Sequence, residues 1–205
     1  MSQLPLFPDA PSPQDLPVVD GIVKYWPQLY PPAEADAYLA ELQQTIAWRE
    51  EAITLFGQQV MQPRLTAWYG DTGQSYTYSG LTMQAYPWTP RLAQIKADLE
   101  AATGHRYNSV LLNLYRHGRD SMGWHSDDEP ELGQNPAIAS LSLGQTRRFH
   151  LRHKRDKNRK LHLDLAHGSL LLMAGALQHH WQHQLPKSQR PLAPRINLTF
   201  RWIHG

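Results

Sequence analysis

The 205-residue chain contains no cysteine. A disulfide framework, a thiolate metal site and a cysteine nucleophile are therefore excluded, so any bound metal must be held by histidine and carboxylate ligands. Long apolar runs are also missing, and residues 1–14 lack the basic and apolar segments of a signal peptide. We therefore expect a cytoplasmic monomer that does not associate with membranes.

Charged residues are sparse, at 19% of the chain, and the formal net charge is only +2. The positive charge is nevertheless concentrated in residues 147–160, which hold eight Lys or Arg and one Asp. A concentrated basic patch on a nearly neutral protein is typical of a polyanion binder. A solvated hairpin loop would explain the same composition equally well.

The N-terminal region differs in composition from the rest. Residues 1–20 are rich in Pro, Asp and Ser and predict a flexible arm, so we expect residues 21–205 to form one domain. Apolar spacing predicts helices over 31–48 and 89–106. Thr89 is expected to cap the second helix and Gly104 to end it.

Short strands separated by turns dominate the chain after Gly104. Their number and spacing predict an α+β fold that is mainly β, with a sandwich, jelly roll or barrel packed against the helices. The clearest predicted strands are 109–115, 137–144, 147–153, 160–166, 169–175 and 195–202.

The last predicted strand, RINLTFRW (195–202), carries an unusual polar face. Strand alternation places Arg195, Asn197, Thr199 and Arg201 on one side and Ile196, Leu198, Phe200 and Trp202 on the other. Two guanidinium groups on an inward face would be costly without an anionic partner, and Arg is suited to binding a carboxylate. An exposed edge-strand face is the simpler interpretation, but it gives no reason for two arginines. Asn113 and Tyr115, two residues apart, could add donors to the same acid.

A metal site is suggested by GWHSDDEP (123–130), in which His125 and Asp127 lie on the same side of an extended segment. A third ligand could come from His179, His180 or His183 in LQHHWQHQLP. A site of two histidines and one carboxylate leaves positions open on iron for a chelating acid and dioxygen.

Together these segments resemble the AlkB family of Fe(II)- and 2-oxoglutarate-dependent dioxygenases, which oxidatively demethylate alkylated nucleobases. The nearest pattern is the branch that repairs double-stranded DNA. The resemblance implies a double-stranded β-helix (jelly roll) with a nucleotide-recognition lid at about residues 50–90. It rests on HSD (125–127), WQHQLP (181–186), RINLTFR (195–201), NLY (113–115), YGDTGQSYTYSGLT (69–82) and LAHGSLLLM (165–173).

The resemblance also implies cofactors and their ligands. Fe(II) would be bound by His125, Asp127 and His183. Arg195 would pair with the distal carboxylate of 2-oxoglutarate, while Arg201 would lie near its other end or steady Asp127. Supporting contacts to 2-oxoglutarate would come from Asn113, Tyr115, Asn197 and Thr199. With O2, the reaction would release succinate, carbon dioxide and formaldehyde from an N-methylated base.

A methylated base in a duplex must be flipped out before it can react. By resemblance, Tyr76 and Tyr78 belong to the nucleotide lid and Glu129 reads the base, although both tyrosines could be ordinary strand aromatics. Phe56 would insert as a wedge into the space that the flipped base leaves in the duplex, and Gly57 would make the turn beside it. Alternatively, Phe56 could be a core residue. Gln58 stands where a basic residue is expected. Further candidate contacts to DNA are Arg148, Arg152, Lys154, Lys187 and Arg190.

The arm contains QLPLF (3–7), which resembles the peptide that docks bacterial repair enzymes on the sliding clamp. Leu4, Leu6 and Phe7 would fill an apolar pocket and Gln3 would bond to backbone. The alternative is an arm that packs its own leucines on the domain.

The expected function is repair of 1-methyladenine and 3-methylcytosine in DNA. The residues also allow the same chemistry on RNA or on a protein side chain. A non-catalytic nucleic-acid-binding module that keeps the fold is a third alternative.

Overall fold

The computed structural model describes the backbone of residues 12–55, 58–72, 75–78 and 81–204, and their side chains except at 53–55, 75–78 and 81–84. The helices of this part are α1 (Pro32–Thr45), α2 (Pro90–Thr103), α3 (Leu177–His180) and a 3-10 turn at Pro130–Leu132. The first eight strands are β1 (Gln14–Asp15), β2 (Ile22–Trp26), β3 (Ala52–Leu55), β4 (Gln58–Met61), β5 (Leu65–Gly70), β6 (Ser75–Tyr78), β7 (Leu81–Gln84) and β8 (Tyr86–Pro87). The others are β9 (Ser109–Tyr115), β10 (Met122–His125), β11 (Ile138–Gly144), β12 (Arg147–His153), β13 (Lys160–Leu165), β14 (Ser169–Ala174), β15 (Trp181–Leu185) and β16 (Arg195–Arg201).

Two sheets form the body of the molecule. The larger, the major sheet, has the order β1-β2-β14-β11-β16-β9-β5-β8, and the smaller, the minor sheet, has the order β10-β15-β12-β13. The eight strands β9–β16 are divided equally between the two sheets, which is the arrangement of a jelly roll. The prediction of a mainly β jelly roll with added helices is confirmed.

Helices α1 and α2 form because their ends and apolar spacing agree with a helical period. The Thr89 hydroxyl accepts a hydrogen bond from the Leu92 backbone nitrogen at 3.2 Å, and Gly104 ends α2 in the left-handed conformation, with φ +74°. The apolar face of α2 is fully buried in the same core as Ile196 and Phe200 of β16. The helices therefore cover the outer side of the major sheet.

The inner side of the major sheet is polar where β16 crosses it. Strand alternation sends Ile196, Leu198 and Phe200 into the core beneath the helices, so the intervening residues face the minor sheet. The prediction that Trp202 joins the apolar face is wrong. β16 ends at Arg201, and the Trp202 side chain is 44% exposed.

The segment before β2 lies along the domain. β1 pairs with β2, and the Trp181 indole nitrogen donates to the Val19 carbonyl at 2.8 Å. The division of the chain at residue 20 stays a prediction. Among the described residues, the helices are too short or too polar to cross a membrane.

Candidate active site

A β-bulge in β10 positions the first metal-ligand candidate. Met122 pairs with Leu185 and His125 with His183, so three steps along β10 oppose two along β15. Both Met122 and His125 therefore line the space between the sheets. The His125 Nδ1 donates to the Gly123 carbonyl at 2.8 Å, which leaves Nε2 as the ligand atom.

The three residues of the expected metal site come together in space. The Nε2 of His125 lies 3.9 Å from Asp127 Oδ1, and the Nε2 of His183 lies 4.0 Å from Asp127 Oδ2. One nitrogen or oxygen of each residue lies within 4.8 Å of the others. His179 and His180, the other histidines that spacing left open, lie on α3.

The electrostatics of this cluster suit a divalent cation. Burial by itself raises the pKa of Asp127, but the Arg201 guanidinium and the two imidazoles outweigh it and lower that pKa to about 2. Burial, aided by His125, lowers the pKa of His183 to about 3, so its imidazole is neutral. Imidazole nitrogens and an ionised carboxylate are a ligand set that fits Fe(II).

We call His125, Asp127 and His183 the triad. Several groups outside the triad hold the loop that carries Asp127 in place. Arg201 donates from NH2 to Asp127 Oδ1 at 2.9 Å. The Gln178 amide oxygen accepts from the Asp127 backbone nitrogen at 3.0 Å, and the Ser126 hydroxyl donates to the Trp181 carbonyl at 2.9 Å. Nothing in the sequence singles out Gln178, because its partner is 51 residues away in the chain.

Replacing Gln178 by leucine is expected to weaken metal binding without unfolding the protein. Leucine preserves most of the buried volume but leaves the Asp127 backbone nitrogen without its acceptor. Outer-shell losses of this kind reduce metal affinity about 10- to 100-fold. Mn(II) titration by calorimetry measures the effect. Gln182→Leu is the matched control, because the Gln182 amide contacts Arg152 instead. Equal affinities in both variants would contradict the role of Gln178.

Arg195 is a buried cation in the same space. It is 2% exposed, and its NH2 donates to the Ser142 hydroxyl at 2.9 Å. Within the described residues its Nε has no hydrogen-bond partner and no carboxylate lies within 4.0 Å of it. Burial lowers the pKa of Arg195 to about 10, so it stays charged at neutral pH. An uncompensated buried guanidinium fits an anionic ligand such as 2-oxoglutarate.

The remaining candidates for 2-oxoglutarate binding differ in their free hydrogen-bonding capacity. The Asn113 oxygen accepts from Arg64 Nε at 2.8 Å, which leaves its amide nitrogen for a ligand. The Asn197 amide nitrogen is already engaged by the Ser140 hydroxyl and the Leu141 carbonyl, and Thr199 donates to the Asn197 oxygen. Asn197 and Thr199 therefore brace the polar face of β16, whereas the Asn113 amide nitrogen stays available and the Tyr115 side chain lines the cavity beside Arg195. Sequence reasoning missed Arg64, Ser140 and Ser142.

His125, His183 and Arg195 line one cavity. Asp127 is not one of its lining residues, but its carboxylate lies within 4.8 Å of the ligand atoms of both histidines. The cavity is an open cleft, and the empty space between its walls is about 520 Å³ when the adjoining open solvent is included. Its polar wall carries the residues of β9 and β16, and apolar side chains complete it. These are Leu111, Met122, Phe149, Leu165, Met173 and Leu185.

The candidate substrate residues lie partly outside the described side chains. Glu129 follows the triad loop, and its Oε2 is buried without a hydrogen-bond partner in the described part of the chain. It is not one of the cavity-lining residues. Tyr76 and Tyr78 lie on β6, which pairs with β7, but their side chains are outside the described residues. Phe56 and Gly57 are also outside them, as are Gln3, Leu4, Leu6 and Phe7. Gln58 opens β4 and is exposed.

Several candidate DNA-binding cations have partners within the protein. Arg148 forms two hydrogen bonds with Asp164, at 2.9 and 3.0 Å. Lys154 contacts Asp128 at 3.1 Å and the Gln178 carbonyl at 2.8 Å. Arg152 donates to the Gln182 amide oxygen. Lys187 and Arg190 are exposed. The basic patch is therefore weaker than its composition indicates.

A second cluster, Asp20, His153 and His180, also brings three potential ligand atoms together. The His153 Nδ1 accepts from the backbone nitrogens of Arg155 and Asp156, at 3.3 and 2.9 Å. A neutral His153 must then carry its proton on Nε2, which lies 3.3 Å from the Asp20 carboxylate. A protonated Nε2 has no lone pair for a metal ion, and within the described residues it also has no hydrogen-bond partner. This cluster is therefore unsuited to a metal ion.

Comparison with known proteins agrees with this geometry. The family model of the 2OG-Fe(II) oxygenase superfamily matches residues 22–201. The alpha-ketoglutarate-dependent dioxygenase alkB homolog 3 of Homo sapiens is 46% identical over 180 residues, which cover 83% of this chain and 62% of that protein. The DNA oxidative demethylase ALKBH2 of Mus musculus is 41% identical over 194 residues, covering 90% of this chain and 81% of that protein.

The solved structure of OsALKBH1 superimposes with a TM-score of 0.65 at 15% identity, over 92% of this chain and all of that one. This likeness supports the fold alone. The chain spans about 62% of the length of the alkB homolog 3 proteins it matches. From the family model and the extent of the ALKBH2 match, this chain belongs to the AlkB-like 2OG-Fe(II) oxygenase family.

Proposed function

We propose that this protein is an Fe(II)- and 2-oxoglutarate-dependent dioxygenase that repairs 1-methyladenine and 3-methylcytosine in DNA. The observation that carries the proposal is that His125 and His183, which cluster with Asp127, line the same cavity as the buried Arg195. A metal site alone would fit many hydrolases. A metal site beside a buried cation for a chelating acid is typical of oxygenases that use 2-oxoglutarate.

The residues of the cavity have distinct tasks. His125, Asp127 and His183 would hold iron, which together with 2-oxoglutarate and O2 supplies the oxidation of the N-methyl group. Arg195 would hold the distal carboxylate of 2-oxoglutarate, with donors from Asn113 and Tyr115. Arg201 keeps Asp127 ionised and fixes its orientation. The apolar wall limits water in the cavity, which disfavours side reactions.

DNA is the proposed substrate because relatives over 40% identical are named DNA oxidative demethylases. The buried Glu129 oxygen, which has no donor among the described residues, would accept a hydrogen bond from the exocyclic amine of a flipped base. Tyr76 and Tyr78 would stack on that base, and Phe56 would fill its place in the duplex, with Gly57 making the turn. Gln58 would contact the DNA from the start of β4. Arg148, Arg152, Lys154, Lys187 and Arg190 would face the DNA backbone, most strongly the exposed Lys187 and Arg190.

Docking of residues 3–7 on a sliding clamp is a separate proposal from the QLPLF pattern. It is tested by pull-down with a clamp and the Leu6→Ala, Phe7→Ala double variant. Unchanged retention of that variant would reject it.

The proposed function is tested by formaldehyde release from an oligonucleotide containing 1-methyladenine, single-stranded and duplex in parallel. The reaction contains Fe(II) and 2-oxoglutarate, and His125→Ala is the control variant. We expect release that requires iron, 2-oxoglutarate and His125. Succinate formed without formaldehyde would reject the methylated-base substrate. Neither product from a folded, iron-loaded protein would reject the dioxygenase assignment.

A further inference from the structure

The solvent-facing side of the minor sheet, called here the outer face, carries planar side chains. Strand alternation sends Phe149 and Leu151 of β12 into the core, so His150 and Arg152 point outward. His162 of β13 is exposed opposite His150. The β10 bulge adds Trp124, which is half-buried, to the same side.

These planar groups form one continuous array across the sheet. The Arg152 guanidinium carbon lies 4.1 Å from the centre of the Trp124 ring. The His150 ring centre lies 6.4 Å from that of Trp124 and 4.3 Å from that of His162. The array therefore reaches from β10, over the intervening β15, to β12 and β13.

The array is held in position by glutamines of β15. The Gln182 oxygen accepts from Arg152 Nε and NH2 at 3.2 and 2.9 Å. The Gln184 amide nitrogen lies 3.4 Å from His150 Nδ1. Planar groups with fixed orientations bind a flat ligand with little loss of side-chain entropy.

The charge beside the outer face points to a polyanion. Residues 154–160, which join β12 to β13, hold five Lys or Arg and one Asp. Lys157 and Lys160 are exposed, and Arg159 is exposed as well but pairs with Asp156 at 2.8 Å. Within the described residues, the unpaired charge of the segment is therefore carried mainly by lysines. An array of aromatic, imidazole and guanidinium groups bordered by cations is the pattern of proteins that stack single-stranded bases and bind the phosphates alongside.

We propose that the outer face binds single-stranded DNA, with bases stacked on Trp124, His150 and His162 and phosphates near the 154–160 segment. Duplex DNA does not suit it, because paired bases keep their faces stacked on one another. The proposal rests on the proposed function only in naming DNA as the strand. Trp124 directly precedes His125, so a strand that delivers a base to the cavity could continue across this face.

The test measures binding separately from catalysis. Fluorescence anisotropy of an unmethylated single strand of about twelve nucleotides is compared for the wild-type protein and the His150→Ala, His162→Ala double variant. Because two stacking surfaces are lost, the dissociation constant is expected to rise about tenfold, and that for the matching duplex less than twofold. His105→Ala, His179→Ala is the matched control, since both residues are exposed histidines elsewhere on the surface.

Turnover of a 1-methyladenine mononucleotide, which is too short to reach both sites, is expected to be the same in the double variant and the wild type. An unchanged single-strand dissociation constant would overturn the proposal, as would an equal loss for the duplex. Displacement of the strand by polyglutamate at equal charge would also overturn it, because charge alone would then explain binding. Tighter binding of the corresponding RNA would reject DNA as the ligand. None of the binding measurements depends on turnover, so the proposed function can fail independently of this proposal.

Discussion

Replacing His183 by alanine is expected to abolish turnover, lowering it by about a thousandfold or more, equivalent to roughly 4 kcal/mol. His183 is 5% exposed, and its low pKa of about 3, caused first by burial, keeps its nitrogen available at neutral pH. Its loss leaves one imidazole and one carboxylate for the metal. Calorimetric titration with Mn(II) should show the wild type binding one ion per chain and the variant binding at least about 100-fold more weakly.

His180→Ala is the matched control for this experiment. His180 is half-buried and belongs to the Asp20–His153 cluster instead. Because the tautomer of His153 makes that cluster unsuited to a metal, His180→Ala should change Mn(II) affinity by less than about twofold. Equal losses in the His180 and His183 variants would show that the metal had been assigned to the wrong cluster.

Replacing Arg195 by methionine is expected to separate ligand binding from stability. The dissociation constant of 2-oxoglutarate should rise about 100-fold, because two charge-assisted hydrogen bonds are lost. The free energy of unfolding of the ligand-free protein should stay the same or increase. Arg195 is buried with no carboxylate within 4.0 Å among the described residues, and replacing such a charge by an apolar group removes a desolvation cost. Calorimetry and urea denaturation measure the two quantities.

Two further variants sharpen the Arg195 experiment. Arg195→Lys keeps the charge but not the planar pair of donors, so we expect an intermediate rise of about tenfold. Arg147→Met is the matched control, because Arg147 is a second buried arginine beside the Tyr115 ring. Its NH2 bonds to the carbonyls of Asp120 and Pro186, so Arg147→Met should lose stability and retain 2-oxoglutarate binding. A destabilised Arg195→Met with normal affinity would refute the ligand role of Arg195.

The arrangement of the cavity explains why binding and stability can separate. On the polar face of β16, Arg195 and Asn197 bond to the hydroxyls of Ser142 and Ser140, whereas Arg201 pairs with the Asp127 carboxylate. The apolar face of the same strand is buried beneath the helices. One strand therefore stabilises the fold with one side and presents charge to the cavity with the other.

The amino-acid sequence by itself determined the local elements and the chemical character of the cavity wall. Helix α2 follows from Thr89, Gly104 and the apolar spacing between them, since capping and periodicity act over a few residues. The alternation along 195–201 likewise identified the two faces of β16, because successive side chains of a strand point to opposite faces of the sheet. The types of metal ligand available followed from the lack of cysteine.

Only the tertiary structure decided which of these residues meet. Sequence spacing allowed any of three histidines to be the third metal ligand. The register of β15 against β10 places His183, and not the other two, opposite His125. The β10 bulge, the bond from Asp127 to Gln178 and the array on the outer face each join residues from different strands or loops. Trp202 continued the alternation in sequence, yet it is exposed because pairing ends at Arg201. The physical reason is the same in each case, since contacts between distant segments depend on register and strand ends, which local propensities do not specify.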